Sequence, residues 1–227
     1  LIKLQLEDKF NIHIANNGVE GLKKVHLYHP DIVVTDQMMP EMDGLEMLQS
    51  IRKDFQISHI PVIILTAKND EGAKTKAITL GANAYITKPF SKEYLLARID
   101  QLLSERLLFR ERIRLQMENQ KTTEEDSYEQ YLVKKDVQFL EKIHQVIEEN
   151  MDDSDFNIDT IASGIGLSRS AFFKKLKSLT GLAPVDLVKE IRLNKSVELI
   201  KNTDLSISEI AFAVGFKDSG YYSKCFR

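Results

Sequence analysis

The stretch that decides the first fold runs from residue 30 to residue 40 and reads Pro-Asp-Ile-Val-Val-Thr-Asp-Gln-Met-Met-Pro. Its short apolar, β-branched run is typical of a buried strand. The strand delivers the carboxylate of Asp36 to the mouth of a loop that Pro40 closes. In an open parallel α/β sheet, ligands and reacting groups gather at the carboxyl ends of the strands. Asp36 is therefore a candidate reactive carboxylate.

Two further strands are predicted downstream, and each ends in a polar side chain. Residues 62–65 are followed by Thr66, and residues 84–87 are followed by Lys88. A carboxylate, a hydroxyl and an ammonium at neighbouring strand ends suit reversible phosphorylation of Asp36. The carboxylate attacks phosphorus, while Thr66 and Lys88 hydrogen-bond and neutralise the added oxygens.

Residues 11–103 resemble a response-regulator receiver domain. The resemblance is carried by Asn17-Gly18-Val19-Glu20-Gly21, Asp36-Gln37-Met38-Met39-Pro40-Glu41-Met42-Asp43-Gly44, His59-Ile60-Pro61-Val62-Ile63-Ile64-Leu65-Thr66-Ala67 and Gly81-Ala82-Asn83-Ala84-Tyr85-Ile86-Thr87-Lys88-Pro89-Phe90. It implies a flavodoxin-like, doubly wound parallel sheet with Asp36 as the phosphoacceptor. It further implies that Thr66 is the switch hydroxyl and Tyr85 the switch aromatic. Lys88 becomes the phosphoryl contact, and the Lys88-Pro89 bond is expected to be cis.

The receiver resemblance also implies Mg²⁺. In this family an acidic pair after the first strand holds the metal together with the phosphoacceptor, here Asp36, and a backbone carbonyl, here that of Met38. We expect that first strand, and with it the acidic pair, to be missing from the chain. Glu7 and Asp8 are a poor substitute, because residues 11–15 are predicted to form the next strand and leave no room for a crossover helix.

Residues 1–10 are better interpreted as the end of a helix. Ile2, Leu6 and Phe10 are spaced by four and fall on one helical face. We therefore expect the receiver to be truncated at its amino end.

Composition limits the class of protein. The 227 residues are 43% hydrophobic and 29% charged, which is ordinary for a soluble globular chain with one or two domains. No apolar run approaches the length of a membrane span, and no signal-peptide pattern opens the sequence. The single cysteine, Cys225, is predicted to be a packed thiol. We expect a cytoplasmic location, with a tether to the inner membrane if a sensor is fused upstream.

Charge differs between the two parts of the chain. From Thr160 onward there are 11 Lys and Arg against 6 Asp and Glu, a net of +5, which leaves −8 for residues 1–159 because the whole chain is −3. An acidic first part and a basic last part fit a regulatory domain joined to a nucleic-acid-binding domain.

A long helix is predicted from Ser91 onward, between the two parts. Leu95, Ile99, Leu102, Phe109 and Ile113 follow a spacing of about four and three, interrupted by Arg106, as in a coiled-coil seam. In the alternative interpretation, the first part of the helix packs on its own receiver and the rest is exposed to solvent. The sequence does not decide between this helix and a dimer seam. After Gln116 the chain becomes polar and reads as a linker.

The last part is predicted to be helical, with two helix-turn-helix units at residues 158–179 and 207–227. Ser168 is placed to cap the second helix of the first unit, and Ser206 with Glu209 forms a capping box. Pro184 suits the first turn of the joining helix, which spans roughly 27 Å. One DNA turn is roughly 34 Å, so this helix could set two recognition helices into successive major-groove segments.

Residues 137–227 resemble an AraC/XylS-type DNA-binding domain. The sequence of the first unit most resembles the AraC-type carboxyl-terminal domains of hybrid two-component systems. The matching motifs are Gly166-Leu167-Ser168-Arg169-Ser170, Phe173-Lys174-Lys175-Leu176-Lys177-Ser178-Leu179-Thr180-Gly181, Ile191-Arg192-Leu193 and Ile207-Ser208-Glu209-Ile210-Ala211-Phe212-Ala213-Val214-Gly215-Phe216. The base-facing residues that the resemblance implies are Arg169, Ser170, Phe173, Lys174, Ser219, Tyr221 and Lys224. We interpret Lys175 and Lys177 as phosphate contacts.

Other positions qualify this second resemblance. The residues interpreted as core are Phe172, Leu176, Phe212, Phe216 and Phe226. Gly220 lies inside the second recognition helix, where it lowers helix propensity by roughly 1 kcal/mol relative to Ala. The family continues beyond the position of Arg227, so we expect a carboxyl-terminal truncation as well.

The sequence thus predicts a phosphorylation-controlled transcription factor that is not an enzyme. Its parts are a receiver at 1–105, a helical linker at 106–136 and an all-α tandem helix-turn-helix domain at 137–227. The expected partners are double-stranded DNA, a histidine kinase that is separate or fused upstream, a second copy in a homodimer and RNA polymerase. Two alternatives remain open: the receiver is a phosphate-independent dimerisation module, or it serves as a phosphate sink.

Overall fold

A computed structural model describes residues 3, 6–67, 71–119 and 134–226, and the side chains of residues 109, 112–119 and 134–135 lie outside the description. The chain divides into two compact units, Leu1–Leu108 and Phe109–Arg227. The polar linker predicted after Gln116 lies mostly outside the described residues, as do Ile2 and the side chains of Phe109 and Ile113.

The described elements follow a simple order along the chain. The receiver-side elements are α1 (Gly18–Tyr28), β1 (Val33–Asp36), α2 (Gly44–Lys53), β2 (Val62–Thr66), α3 (Glu71–Thr79), β3 (Ala84–Thr87) and α4 (Lys92–Asn119). The helical elements that follow are α5 (Lys134–Glu149), α6 (Ile158–Ile165), α7 (Arg169–Thr180), α8 (Pro184–Asn202), α9 (Ile207–Ala213) and α10 (Ser219–Phe226). No described helix is both long and apolar enough to cross a bilayer.

The three strands form one parallel sheet in the order β1-β2-β3. Every residue of β2 is buried, because successive side chains point to opposite faces and both faces are covered. Ile64 packs with Leu48 and Ile51 of α2. Ile63 packs on the other face with Leu95 of α4. The doubly wound α/β fold is confirmed.

The strand predicted at residues 11–15 is wrong, because this segment has no regular structure. A parallel strand exists only through hydrogen bonds to a neighbour. Within the described residues, the sheet pairs β1 with β2 and β2 with β3 only. The sequence of residues 11–15 favours a strand. In the described sheet this segment pairs with no neighbouring strand.

The residues before this segment pack on the sheet face that α4 covers. Lys3 and Leu6 are helical, and the Phe10 amide donates to the Leu6 carbonyl over 3.0 Å. Leu6 and Phe10 both join the apolar cluster around α4. The Lys9 ammonium also pairs with Asp100 of that helix at 2.6 Å. The described part of the segment thus agrees with the predicted helix end.

Helix α4 begins as a core helix of the first unit. Leu95, Ile99 and Leu102 are buried against β2 and β3, and Arg106 donates to the Asp31 carbonyl over 2.9 Å. Leu107 is exposed. For these first turns, packing on the receiver's own sheet is the interpretation that agrees with the structure.

The second unit has two helix-turn-helix arrangements linked by α8. In the first, Phe139 of α5 meets Phe172 of α7 edge to face, with ring centroids 6.1 Å apart. In the second, Ile210, Val214 and Tyr222 pack with residues of α8. The all-α tandem fold is confirmed.

The capping predictions for this unit are also confirmed. The Ser168 side chain accepts from the Ala171 amide, and Ser206 and Glu209 form the capping box. Pro184 occupies the first turn of α8. These caps satisfy amides that would otherwise have no partner at the helix starts.

Two of the five residues predicted as core are wrong. Phe172, Leu176 and Phe216 are buried, but Phe212 is 54% exposed and Phe226 is 43% exposed. Helix α9 has only seven residues, and Ile210, Ala211 and Val214 already occupy its inner face. Phe212 therefore points away from it. Phe226 is the last residue of α10, and the centroid of its ring lies 5.5 Å from that of the Tyr222 ring.

Arg192 of α8 fastens the second turn to the preceding chain. Its guanidinium donates to the Gly215 carbonyl over 2.9 Å and to the Asp153 carbonyl over 2.7 Å. Burial lowers the pKa of this guanidinium from its usual range. The three segments that meet here leave little space around Gly215.

The turn glycines of the two units provide a matched test of that packing. Both have a left-handed φ, +78° at Gly166 and +80° at Gly215. An added Cβ at Gly166 would meet nothing within 4 Å, but at Gly215 it would lie 2.4 Å from the Met151 carbonyl oxygen. We expect Gly166→Ala to lower the free energy of unfolding by about 1–2 kcal/mol from the backbone alone. Gly215→Ala adds an overpacking cost and should lower it by about 2–5 kcal/mol.

Urea unfolding followed by circular dichroism measures both losses, with wild type as the reference. Equal losses for the two variants would show that the segment around Met151 yields freely, and would contradict the packing argument.

Candidate phosphorylation site and DNA-binding surface

Three functional side chains come from the carboxyl edge of the sheet. Asp36 is the last residue of β1 and pairs in register with Leu65. Thr66 is the last residue of β2 and pairs with Thr87 of β3. Lys88 follows directly, and its amide donates to the Thr66 carbonyl over 2.7 Å. The predicted convergence at one edge follows from parallel pairing, because all three strands run the same way.

Lys88 and Asp36 form an ion pair in which the ammonium contacts Oδ2 of the carboxylate. The Lys88 side chain is 36% exposed and that of Asp36 is 38% exposed. Thr66 is buried. The predicted cis bond between Lys88 and Pro89 is also present. The edge therefore holds a partly exposed carboxylate with a cation beside it.

Tyr85 is linked to the residue that follows Asp36. The Tyr85 hydroxyl donates to Oε1 of Gln37 over 3.1 Å, and Tyr85 is partly buried. Sequence reasoning named Tyr85 but missed Gln37. The position of Gln37 in the sequence could have indicated this contact. Gln37 directly follows the last residue of β1, so it lies at the same edge of the sheet as the end of β3.

The loop after Asp36 is held at several points. The Gln37 amide donates to the Leu65 carbonyl over 2.7 Å, and the Gly44 amide donates to the Gln37 carbonyl over 3.0 Å. Gly44 is required there, since a Cβ would lie 2.3 Å from the Asp36 carbonyl oxygen. Glu41 has a left-handed φ of 63° and accepts from the Asn17 side chain over 2.8 Å. Asn17 and Glu41 carried no separate signal in the sequence.

The fit of Mg²⁺ to these residues is partial. Asp36 offers one carboxylate, and Met38 is 73% exposed in the loop that follows it. Mg²⁺ needs six oxygens in octahedral geometry. The described part of the chain contains no group of three His, Cys, Asp or Glu side chains able to hold a metal. The described residues alone therefore do not make a complete magnesium site.

The outer face of α7 carries four of the residues predicted to read DNA. Arg169, Ser170, Phe173 and Lys174 are exposed and line one surface pocket of about 400 Å³. The Lys177 ammonium lies 5.8 Å from the centroid of the Phe173 ring. This face offers cations, a hydroxyl and an aromatic surface, which suit phosphates and base edges.

The prediction that Lys175 contacts phosphate is wrong. Its side chain is fully buried, and its ammonium lies 2.8 Å from Oδ1 of Asp136. It also stands 4.9 Å from the centroid of the Phe139 ring. Lys175 lies on the buried side of α7 with Phe172 and Leu176, whereas Lys174 is exposed. Asp136, which the sequence assigned to the linker, is thus part of the helical unit.

The second candidate face lies on α10. Tyr221 and Lys224 are exposed, Ser219 is partly buried, and Gly220 is exposed between them. A hydrogen bond between the side chains of Tyr221 and Cys225 raises the pKa of the Tyr221 phenol.

Comparisons with known proteins follow the same division of the chain. Residues 1–100 match the family model for the response regulator receiver domain, and residues 161–227 match a helix-turn-helix domain model. "Histidine kinase P4" from Formosa agariphila is 34% identical over the whole of this chain, which spans 16% of that relative. "Hybrid signal transduction histidine kinase D" from Dictyostelium discoideum is 46% identical over 40% of this chain and 6% of that relative.

A solved structure resembles the second part of the chain. It is the carboxyl-terminal domain of the two-component response regulator yesN from Fusobacterium nucleatum, with 31% identity, a TM-score of 0.36 and coverage of 38% of this chain and 90% of that one.

The strand-end geometry and the family matches lead to one conclusion. Residues 1–100 belong to the response-regulator receiver domains, and they are followed at residues 161–227 by a helix-turn-helix domain of the AraC type.

Proposed function

We propose that phosphorylation of Asp36 controls sequence-specific DNA binding by the helical unit, and through it transcription. The contact between Lys88 and Asp36 carries the proposal. It sets a cation beside an exposed carboxylate at the edge of the sheet where reacting groups gather. The receiver and helix-turn-helix assignments give the same pairing of a phosphorylation input with a DNA-binding output.

The phosphoryl transfer is a single displacement at phosphorus. A carboxylate oxygen of Asp36 attacks a phosphohistidine of the donor kinase, the new O–P bond forms as the P–N bond breaks, and the imidazole leaves. The Lys88 ammonium neutralises the phosphoryl oxygens, and Thr66 donates its hydroxyl to one of them. Asp36 is a phosphoacceptor in this scheme, so we propose a regulator and not an enzyme.

The switch that we propose uses Thr66 and Tyr85. A phosphoryl group on Asp36 attracts the Thr66 hydroxyl and draws the end of β2 toward it. It also alters the surroundings of Gln37, which accepts the Tyr85 hydrogen bond. This edge of the sheet would then have two conformations, and phosphorylation would change their relative free energies. Such a shift in population is how a local charge can affect DNA binding at a distance.

The DNA-binding role is supported by the two exposed faces on α7 and α10. Helix α8 contains 19 residues and is about 28 Å long. This length is comparable with one DNA turn of roughly 34 Å, so the two faces suit successive major-groove segments. We propose base contacts from Arg169, Ser170, Phe173 and Lys174 in the first unit and from Ser219, Tyr221 and Lys224 in the second. Lys177 is proposed as a phosphate contact.

The partners remain part of the proposal. A histidine kinase is the proposed phosphoryl donor, and relatives that are named histidine kinases favour one fused in the same polypeptide. We also propose a homodimer on DNA, contact with RNA polymerase and a cytoplasmic location for these residues. Asp36 and the Met38 carbonyl would supply two of the oxygens for Mg²⁺.

The first prediction concerns the acceptor carboxylate. Incubation of the protein with acetyl phosphate should add one phosphoryl group, and Asp36→Asn should abolish the addition because the amide is a poor nucleophile. Intact-mass measurement of the protein and its peptides gives the result. Asp31→Asn alters an exposed carboxyl just before β1 and is the matched control. Undiminished labelling in Asp36→Asn would exclude this site.

The second prediction concerns DNA readout. The probe is a duplex selected by wild type from a randomised library. Lys174→Ala should weaken protection of one major-groove segment and Lys224→Ala that of the other, each by about 1–3 kcal/mol for a lost base contact. Lys177→Ala should weaken all sequences alike and lower the salt slope by about one unit.

Footprinting and a salt titration separate these effects. Lys142→Ala removes an exposed cation from α5 and should leave both segments protected. The footprint could instead show a single protected segment that is lost in Lys174→Ala and kept in Lys224→Ala. In that case only the first helix-turn-helix unit would contact DNA bases. That outcome would contradict the tandem arrangement.

A further inference from the structure

A sealed ion pair joins α7 to the first turn of α5. The Lys175 and Asp136 side chains are 0% and 2% exposed, with 2.8 Å between Nζ and Oδ1. The Phe139 ring, one turn along α5, lies 4.9 Å from the same ammonium. The two charged side chains and the Phe139 ring are thus packed together and buried from water.

Burial makes this contact restrictive. Removing an ammonium and a carboxylate from water is unfavourable, and their close contact offsets part of the lost hydration. If α7 moves away from α5, or rotates about its axis, at least one charge is left in an apolar surrounding without its counterion. The helix is therefore held in a narrow range of positions.

The orientation of α7 decides which side chains face outward. Arg169, Ser170, Phe173 and Lys174 are exposed because Lys175, Phe172 and Leu176 point inward. Fixing Lys175 fixes the angle at which Lys174 and its neighbours meet a DNA groove. A base contact depends on that angle, because hydrogen bonds weaken steeply when they are misaligned.

We propose that Asp136 is a positioning residue for DNA recognition, acting through Lys175 on the orientation of α7. This inference rests on the proposed DNA-reading function. Asp136 precedes the residues that match the helix-turn-helix model, so the reading unit extends to the start of α5. A rearrangement of that first turn would separate Lys175 from its carboxylate and release α7.

The test uses the natural protein and the duplex selected from a randomised library. Asp136→Asn and Lys175→Met each remove one charge at nearly constant volume. Each should weaken binding by about ten- to a hundredfold, the effect of losing one or two base contacts. Protection should be lost in the segment read by α7 and kept in the segment read by α10. Binding is measured well below the midpoint of thermal unfolding, with circular dichroism to verify folding.

A double variant guards against single variants that fail to fold. Asp136→Leu with Lys175→Met replaces the pair by apolar side chains, an exchange that is often neutral for stability. It should regain binding to within about threefold of wild type with an unchanged salt slope. Lys142→Met and Asp152→Asn make the same chemical changes at exposed positions and should have no effect.

The outcomes are distinct from those of the proposed function. Loss of binding in the double variant together with a smaller salt slope would make Lys175 a phosphate contact and overturn the inference. Equal weakening of both segments by Asp136→Asn would reduce the pair to a general stabiliser and also overturn it. A wild-type protein that selects no duplex would instead overturn the proposed function.

Discussion

The first unit depends on the burial of β2 on both of its faces. Val62 and Ile64 face the cluster that includes α2, and Ile63 and Leu65 face the cluster that includes α4. A fully buried Leu or Ile stabilises the fold by about 1.5–3 kcal/mol, so any slip of this strand would be costly. A slip of one residue would exchange the faces of every side chain. The register of β2 with both neighbours is therefore fixed, and the polar groups at the strand ends are fixed with it.

In the second unit, α8 has the corresponding role. It links the two helix-turn-helix arrangements and contributes Leu193 and Leu199 to the core of the second one. Arg192 of the same helix bonds to the Gly215 and Asp153 carbonyls. A guanidinium supplies several donors in a fixed geometry, so one side chain can hold both carbonyls. The helix thus sets the turn of the second arrangement as well as its distance from the first.

Much of this organisation could be predicted from sequence because it depends on local patterns. The strand ends at Asp36 and Thr66, and the position of Lys88 directly after β3, followed from apolar runs and parallel geometry. The caps at Ser168 and Ser206 followed from residue types that accept hydrogen bonds from free amides. These features depend on neighbouring residues, so one sequence contains the information they need.

The wrong predictions share a dependence on distant partners. Residues 11–15 have the pattern of a strand, but a strand also requires a neighbouring edge. Phe212 is as apolar as Phe216, yet the inner face of α9 was already filled. Lys175 was interpreted as exposed from its charge, and the carboxylate that allows its burial lies 39 residues earlier at Asp136. Periodicity assigns a residue to a face but does not identify what covers that face.

The two lysine–aspartate pairs show how burial decides what an ion pair can do. Lys88 and Asp36 are both more than a third exposed, and such a pair contributes only about 0–1 kcal/mol because water competes for both charges. The contact between Lys88 and Asp36 can therefore be broken at little cost. Lys175 and Asp136 are sealed, and separating them would cost about 3–5 kcal/mol. The same two residue types thus form a weak, solvent-exposed contact in one unit and a strong, buried contact in the other.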